Sequence, residues 1–324
     1  MSTLHICQAG YEPFLAKELG APAESSGPGW VFGPEAPGEL CFAHVSLRET
    51  AELPARSVNA MSGTLADFFL GSAREERFSG PWPYLLEAAG LEGLARRAGS
   101  VEREALAGIR SRMSRVAKLA VPGRPRPGRA RGLFAYLPDF ERVFAAREAF
   151  AWGQRRMTDD PRAPSRSYLK AEEAYGILGR EPGADESVVD LGAAPGGWTY
   201  SAARRGARVL ALDNGALKGD ARHPGVTHLE MDAFTFRPPG PVDWMFCDIV
   251  DEPERVLELL ARWLDEGWCR RFIVALKFGR HDPLRLLAKA RALKPRASSF
   301  KARQLFHDRE ELTLMGERSL PSRG

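Results

Sequence analysis

The sequence is poor in cysteine and has no long apolar run. Its four cysteines, Cys7, Cys41, Cys247 and Cys269, are scattered and form no CxxC pair. That spacing excludes a zinc knuckle and a disulfide framework, and scattered thiols suit a reducing, cytoplasmic setting. Nowhere do about 18 apolar residues follow one another, so no membrane-spanning helix is expected. The opening MSTLHICQAGYEPF lacks the basic start and apolar stretch of a signal peptide, and no lipidation motif is visible. Nor is there a strong excess of either charge. Lys+Arg number 46 against 42 Asp+Glu, a net of +4, which on its face speaks against a strongly basic nucleic-acid binder.

What is present is globular. Hydrophobic residues make 44% and charged residues 27% of 324 positions. That composition argues against global disorder, and the length exceeds one ordinary core, so two or three domains are expected. The small net charge is a cancellation. Residues 1–104 carry a net of −6 and residues 105–324 a net of +10. Two basic blocks stand out: residues 110–131 hold 8 Arg/Lys and no acid, and residues 270–303 hold 11 with only Asp282. Lys and Arg neutralise phosphates without reading sequence, so the small total does not exclude a nucleic-acid partner; the second block is expected to surround Lys277.

Along the chain, Leu106, Ile109, Met113 and Val116 are spaced for a helix over 101–119. The Gly/Pro-rich VPGRPRPGRARG (121–132) reads as a loop. Strands are expected at 132–137 and 142–150, around a Pro138-Asp139 turn. The polar, Pro-interrupted GQRRMTDDPRAPSR (153–166) reads as a domain boundary. Beyond it strands and helices alternate. Strands are expected at 187–191, 208–212, 226–231, 242–248, 271–277, 302–306 and 311–315, and helices at 167–179, 198–205, 252–266 and 283–293. This is the pattern of an open, mainly parallel α/β sheet, whose ligands bind beyond the carboxyl ends of the strands.

The strongest local signal is VVDLGAAPGGWT (188–199). A β-branched strand carrying Asp190 leads into Gly192, Ala193, Pro195, Gly196, Gly197 and Trp198, and then a helix. Asp213 ends the next strand, where an acid suits a ribose hydroxyl pair. Asp232, in HLEMD, is placed at the end of the third strand and suits an adenine amino group. A nucleoside-bearing cofactor is therefore expected. The dinucleotide pattern needs a second glycine where Ala194 stands, and Pro195 removes a backbone donor. Asp190 repels phosphate but suits an ammonium or sulfonium, which points to S-adenosylmethionine rather than a nicotinamide.

A second set is dispersed: Lys170 in SRSYLK, Asp248 after WMFC, Lys277 at the end of FIVALK and Glu311 before LTL. A lone lysine is usually a solvated surface charge, but Asp248 and Lys277 each end an apolar strand. Together with DLGAAPGGWT, CDIV, ALKF and REELTL, these residues give the second half a resemblance to the FtsJ-type RNA 2′-O-ribose methyltransferases. Within that family ALDNG, HLEMDAFTFRP and QLFHDREELT resemble enzymes acting on a cytidine of bacterial large-subunit ribosomal RNA. The resemblance covers roughly residues 160–324. It implies a Rossmann-like, S-adenosylmethionine-dependent methyltransferase domain at 156–324, preceded by an α+β, ferredoxin-like module at 1–70 and a THUMP-like RNA-binding module at 71–155. It also implies a catalytic set of Lys170, Asp248, Lys277 and Glu311, no metal, and a partner that is large-subunit ribosomal RNA or its precursor. A monomer is the default.

A free lysine, with a pKa of about 10.4, is protonated at neutral pH. A neighbouring lysine and partial burial lower that value. Lys277 is accordingly expected to be the base for the 2′-hydroxyl, with Lys170 depressing its pKa, Asp248 orienting it and Glu311 holding the lysine pair. Other readings are a methyltransferase for transfer RNA or another RNA, and a non-catalytic RNA-binding ribosome-assembly factor.

Overall fold

The computed structural model describes residues 2–319, and the chain divides into two compact units, Met1–Gly153 and Gln154–Gly324. The first is α+β. Its strands are β1 (Ser2–Cys7), β2 (Ser25–Gly27), β3 (Trp30–Pro34), β4 (Ala43–Arg48), β5 (Ala51–Pro54), β6 (Trp82–Ala88), β7 (Ala120–Pro122), β8 (Gly128–Leu137) and β9 (Arg142–Ala151). They form one nine-stranded sheet in the order β2-β3-β1-β4-β9-β8-β6-β7, with β5 also pairing β9. Helices α1 (Glu12–Glu18), α2 (Val58–Ala73), α3 (Leu94–Arg112) and α4 (Ser114–Ala117) accompany it.

The expected division between residues 70 and 71 falls inside α2. The physical reason is hydrogen bonding: β9 pairs with β4 and β5 from residues 43–54 and with β8 from residues 128–137. Those pairings join strands from both sides of the expected division into one sheet. Met61, Leu65 and Phe69 recur on one face of α2 at a spacing of four, and Phe69 stacks on Trp82 with ring centroids 4.7 Å apart. The helix expected at 101–119 starts earlier, at Leu94, and breaks at Met113. The loop expected over 121–132 shrinks to 123–127, because β7 and β8 draw its two ends into the sheet.

The second unit carries the sheet that builds the site. Its strands are β10 (Ser187–Leu191), β11 (Arg208–Leu212), β12 (Val226–Leu229), β13 (Val242–Cys247), β14 (Cys269–Lys277), β15 (Ala297–Arg303) and β16 (Glu311–Arg318), with helices α5 (Tyr168–Leu178), α6 (Gly197–Ala203), α7 (Pro253–Asp265) and α8 (Pro283–Arg291). The order is β12-β11-β10-β13-β14-β16-β15. The first five strands are parallel, and β16 inserts antiparallel between β14 and β15. This is a Rossmann-like, doubly wound sheet whose order reverses at β10, so its crevice opens beyond the ends of β10 and β13. The strands read as near-continuous apolar runs because helices cover both faces.

Two elements differ from expectation. The strand placed at 302–306 is β15, Ala297–Arg303. Residues 305 and 306 leave the ladder because the Leu305 N–H donates to Asp308 (2.9 Å) and the Phe306 N–H to Glu173 (3.0 Å). The strand expected at 226–231 ends at Leu229, which leaves Asp232 three residues beyond it.

The register of β15 against β16 slips between Ala297 and Ser299. A Cβ on Gly316 would lie 2.0 Å from the Ser299 carbonyl oxygen. Only glycine fits so close a backbone approach. Gly316→Ala is expected to destabilise the protein by roughly 2–3 kcal/mol, read as a lower urea midpoint; an unchanged midpoint would refute the packing account.

Candidate active site

The crevice edge is built by the strand-to-helix turn after β10. Gly192 adopts a positive φ of 77°, and a Cβ there would lie 2.8 Å from Ile249 Cγ1, in the segment following β13. Cβ atoms on Gly196 and Gly197 would meet Ala221 and Ser167, each at 2.3 Å. These glycines thus let the turn pack against protein on both sides. Ala193 is buried, and Pro195 is half-buried in the same turn. Trp198 faces the core, edge-on to Phe246, and its indole N–H donates to the Ser167 carbonyl (2.9 Å). That bond ties the turn to the start of α5.

Asp190 is fully buried. Its Oδ2 accepts from the Thr199 hydroxyl (2.6 Å), while Oδ1 has no partner among the described residues. Burial pushes its pKa up to about 7, helped by the negative charge of Asp248. A buried carboxylate with one unsatisfied oxygen fits a cationic ligand group, as the ammonium and sulfonium of S-adenosylmethionine provide. Asp213 accepts from the N–H groups of Ala194 (2.9 Å) and Gly215 (2.7 Å). It is held in a fixed pose, with a further acceptor site left on each oxygen. Asp232 is exposed, accepts from the Phe234 N–H (2.9 Å), and is not joined to the others by any contact among the described residues.

The four dispersed residues meet at one point. Lys170 comes from the first turn of α5, Asp248 follows β13, Lys277 ends β14 and Glu311 opens β16, directly opposite Lys277 in the register. Lys170 Nζ donates to Asp248 Oδ1 and to both Glu311 oxygens, each at 3.1 Å. Lys277 Nζ makes a short hydrogen bond to Asp248 Oδ1 and stands 3.4 Å from Glu311 Oε2. Two cations alternate with two anions. Lys170 is the buried cation, its side chain 8% exposed, and Lys277 the more open one at 26%.

Burial disfavours charge on Lys170, but Asp248, Glu311 and Asp308 outweigh it and hold its pKa above the ordinary lysine value. Lys170 is therefore the amine that stays charged in the set.

The structure adds residues that sequence reasoning missed. Asp308 is buried beside Lys170 and Glu311 and accepts from the Thr313 hydroxyl (3.1 Å) and the Leu305 N–H (2.9 Å). Burial, then repulsion from Glu311, pushes its pKa well up. Glu173 is wholly buried and accepts from the N–H groups of Arg155 (3.0 Å), Phe306 (3.0 Å) and His307 (3.3 Å). The available signal was EE inside the otherwise apolar α5 segment: acids in a helix with no polar face need buried partners.

Part of each basic block is spent on the fold. Arg112, Arg124 and Arg131 pair with Asp67, Glu87 and Glu76. In the second block Arg271 is buried between Glu186 (3.3 Å) and Glu317 (2.7 Å), Lys289 meets Glu254 and Arg296 meets Asp265. That block begins at the opposite end of β14 from Lys277.

Residues 163–259 match the family described as FtsJ-like methyltransferase. A ribosomal RNA large subunit methyltransferase M from Laribacter hongkongensis is 37% identical over 255 residues, covering 72% of this chain and 68% of its own. One from Stenotrophomonas maltophilia is 36% identical and is covered to 96%, as is this chain. The chain belongs to the ribosomal RNA large subunit methyltransferase M family. It is a methyltransferase, and S-adenosylmethionine is its methyl donor. A further member, from Halorhodospira halophila, is 43% identical over 58% of each chain.

Folded protein keeps the Asp190 proton to about pH 7, whereas the unfolded chain releases it near 3.8. The stabilisation from this group is complete below the lower value and lost as pH rises through the upper one. Relative to Asp190→Asn, the wild type is expected to lose on the order of 2–3 kcal/mol between about pH 5 and pH 8. Urea unfolding of both proteins across that range checks it; a constant difference would contradict the buried-acid assignment.

Proposed function

We propose that this protein transfers a methyl group to the 2′-hydroxyl of a ribose in large-subunit ribosomal RNA, with a cytidine as the target nucleotide and Lys170, Asp248, Lys277 and Glu311 as the catalytic set. The observation that carries the reading is the convergence of those four side chains, from four separate elements, at the crevice where the sheet order reverses. The bound cofactor supplies an electrophilic methyl on a sulfonium, for which Asp190, the Gly192–Gly197 turn and Asp213 form the holding residues; Asp232 is the proposed adenine contact.

The chain's own groups do the rest. A ribose hydroxyl is a weak nucleophile until its proton is removed. Lys277, the more open amine, is placed to take that proton as the oxygen–methyl bond forms and the sulfur–methyl bond breaks. Asp248 aims Lys277 through their short hydrogen bond. Lys170, kept charged by two carboxylates, offers a fixed positive charge to the oxyanion developing on the ribose. Glu311 spans both amines and ties β16 to α5. The first unit is proposed as the RNA-engaging module. Among the described residues no helix is long and apolar enough to cross a membrane; a cytoplasmic monomer is the accompanying proposal.

Mass-spectrometric mapping of 2′-O-methyl groups on unmodified large-subunit transcript, after incubation with enzyme and S-adenosylmethionine, tests the substrate. A methyl group on a base, or on transfer RNA alone, would overturn it. Lys277→Ala is expected to lower the transfer rate by about 10²–10⁴-fold, with cofactor affinity by calorimetry within about twofold of wild type. Retained turnover would remove Lys277 as the base.

A further inference from the structure

Several arginines of the two basic blocks end on carboxylates, and a separate group of cations lies on the segments that adjoin the tetrad. Two stretches flank α5 at the tetrad end: residues 155–166, leading into the helix, and the 304–310 turn before Glu311. A single carboxylate fixes both, since Glu173 accepts from the backbone of Arg155, Phe306 and His307. The Met157 N–H adds a second tie by donating to His307 Nε2 (2.9 Å).

Three basic side chains are gathered there. Arg156 is exposed, has no carboxylate partner among the described residues, and lies 6.0 Å from the Phe306 ring centroid, within cation–π reach. Arg166 immediately precedes Ser167 and α5, one turn before Lys170. Its side chain is 77% exposed, and it pairs with Asp159 at 3.1 Å. His307 is the third. Because its Nε2 accepts from Met157, the ring is the neutral tautomer with its proton on Nδ1, a donor. Burial first, then Arg166 and Arg156, push the His307 pKa down, with Asp159 the opposing charge. Both guanidinium groups thus act on the imidazole, against the opposing Asp159.

Arg156 differs from Arg180, Arg204, Arg205 and Arg271, which all end on one or more carboxylates. We infer that Arg156, Arg166 and His307 form a cradle for a backbone phosphate of the RNA, next to the ribose whose hydroxyl enters the tetrad. The inference rests on RNA being the substrate. Arg166 is one turn from Lys170, and His307 adjoins Asp308, which is coupled by charge to Lys170 and Glu311. A phosphate gripped there would fix the neighbouring ribose relative to Lys277, which is how positioning lowers a barrier without touching the reacting atoms.

The test uses the full chain, unmodified large-subunit transcript as the probe, and binding measured separately from transfer. In Arg156→Gln/Arg166→Gln the slope of log binding constant against log salt is expected to become shallower by about 1.4, the value for two contacts on a single strand. The loss falls on KM for RNA, with a rise of about tenfold or more, while S-adenosylmethionine affinity stays near wild type. Arg156→Lys/Arg166→Lys keeps both charges and is expected to retain the wild-type slope. An unchanged slope in the Gln protein overturns the cradle, and so does an equal loss in the Lys protein. Should the double Gln protein fail to fold, the two single variants carry the same test, with half the change each. Wild-type protein that binds the transcript with the steep slope but methylates no ribose overturns the proposed function and leaves the cradle standing.

Discussion

A buried ammonium has to bring its anions with it. Lys170 is almost removed from water, and the cost of stripping a cation of its solvent is several kcal/mol unless opposite charges close around it. Asp248 and Glu311 do so, and meeting that requirement forces α5, the end of β13 and the start of β16 to the same place. Lys277 then completes the set because the antiparallel register puts it opposite Glu311. The site's geometry is therefore the solution to an electrostatic problem posed by one helix residue. Asp308 and the Glu173 ties hold the surrounding loops to that solution.

Some of this was written plainly in the sequence. VVDLGAAPGGWT reads as strand, turn and helix because β-branched residues precede glycines at a sharp reversal, and β10, the turn and α6 follow that outline. The alternation of apolar strands with helices gives the Rossmann-like class directly. Lys277 and Asp248 were visible as charges ending apolar runs. Their meeting with Lys170 and Glu311 was not visible from periodicity, since it depends on which strands pair and in which direction; the motif resemblance supplied it.

What the sequence hid was hidden by long-range partners. Residues 302–306 have strand-like composition, but Asp308 and Glu173 claim the backbone donors of Leu305 and Phe306, so the ladder stops at Arg303. The joining of the first 153 residues into one sheet was hidden in the same way, since β9 pairs with strands from both sides of the expected division. The basic blocks show a related effect: some of their arginines become ion pairs once acids distant in the chain fold against them, as Arg271 does with Glu186 and Glu317.

The place of β16 bears on how the enzyme is made. It follows every other strand of its sheet in the chain, yet it lies between β14 and β15. A nascent chain that has reached only β15 has a sheet with a gap in it, two unpaired edges, and three of the four site residues. Synthesis proceeds from the N-terminus and domains close as their last element emerges. The strand that closes the sheet also delivers Glu311, so a chain translated only as far as β15 has neither a sealed core nor a complete set of charges around Lys170. Closure of the sheet and assembly of its chemistry are thereby one event.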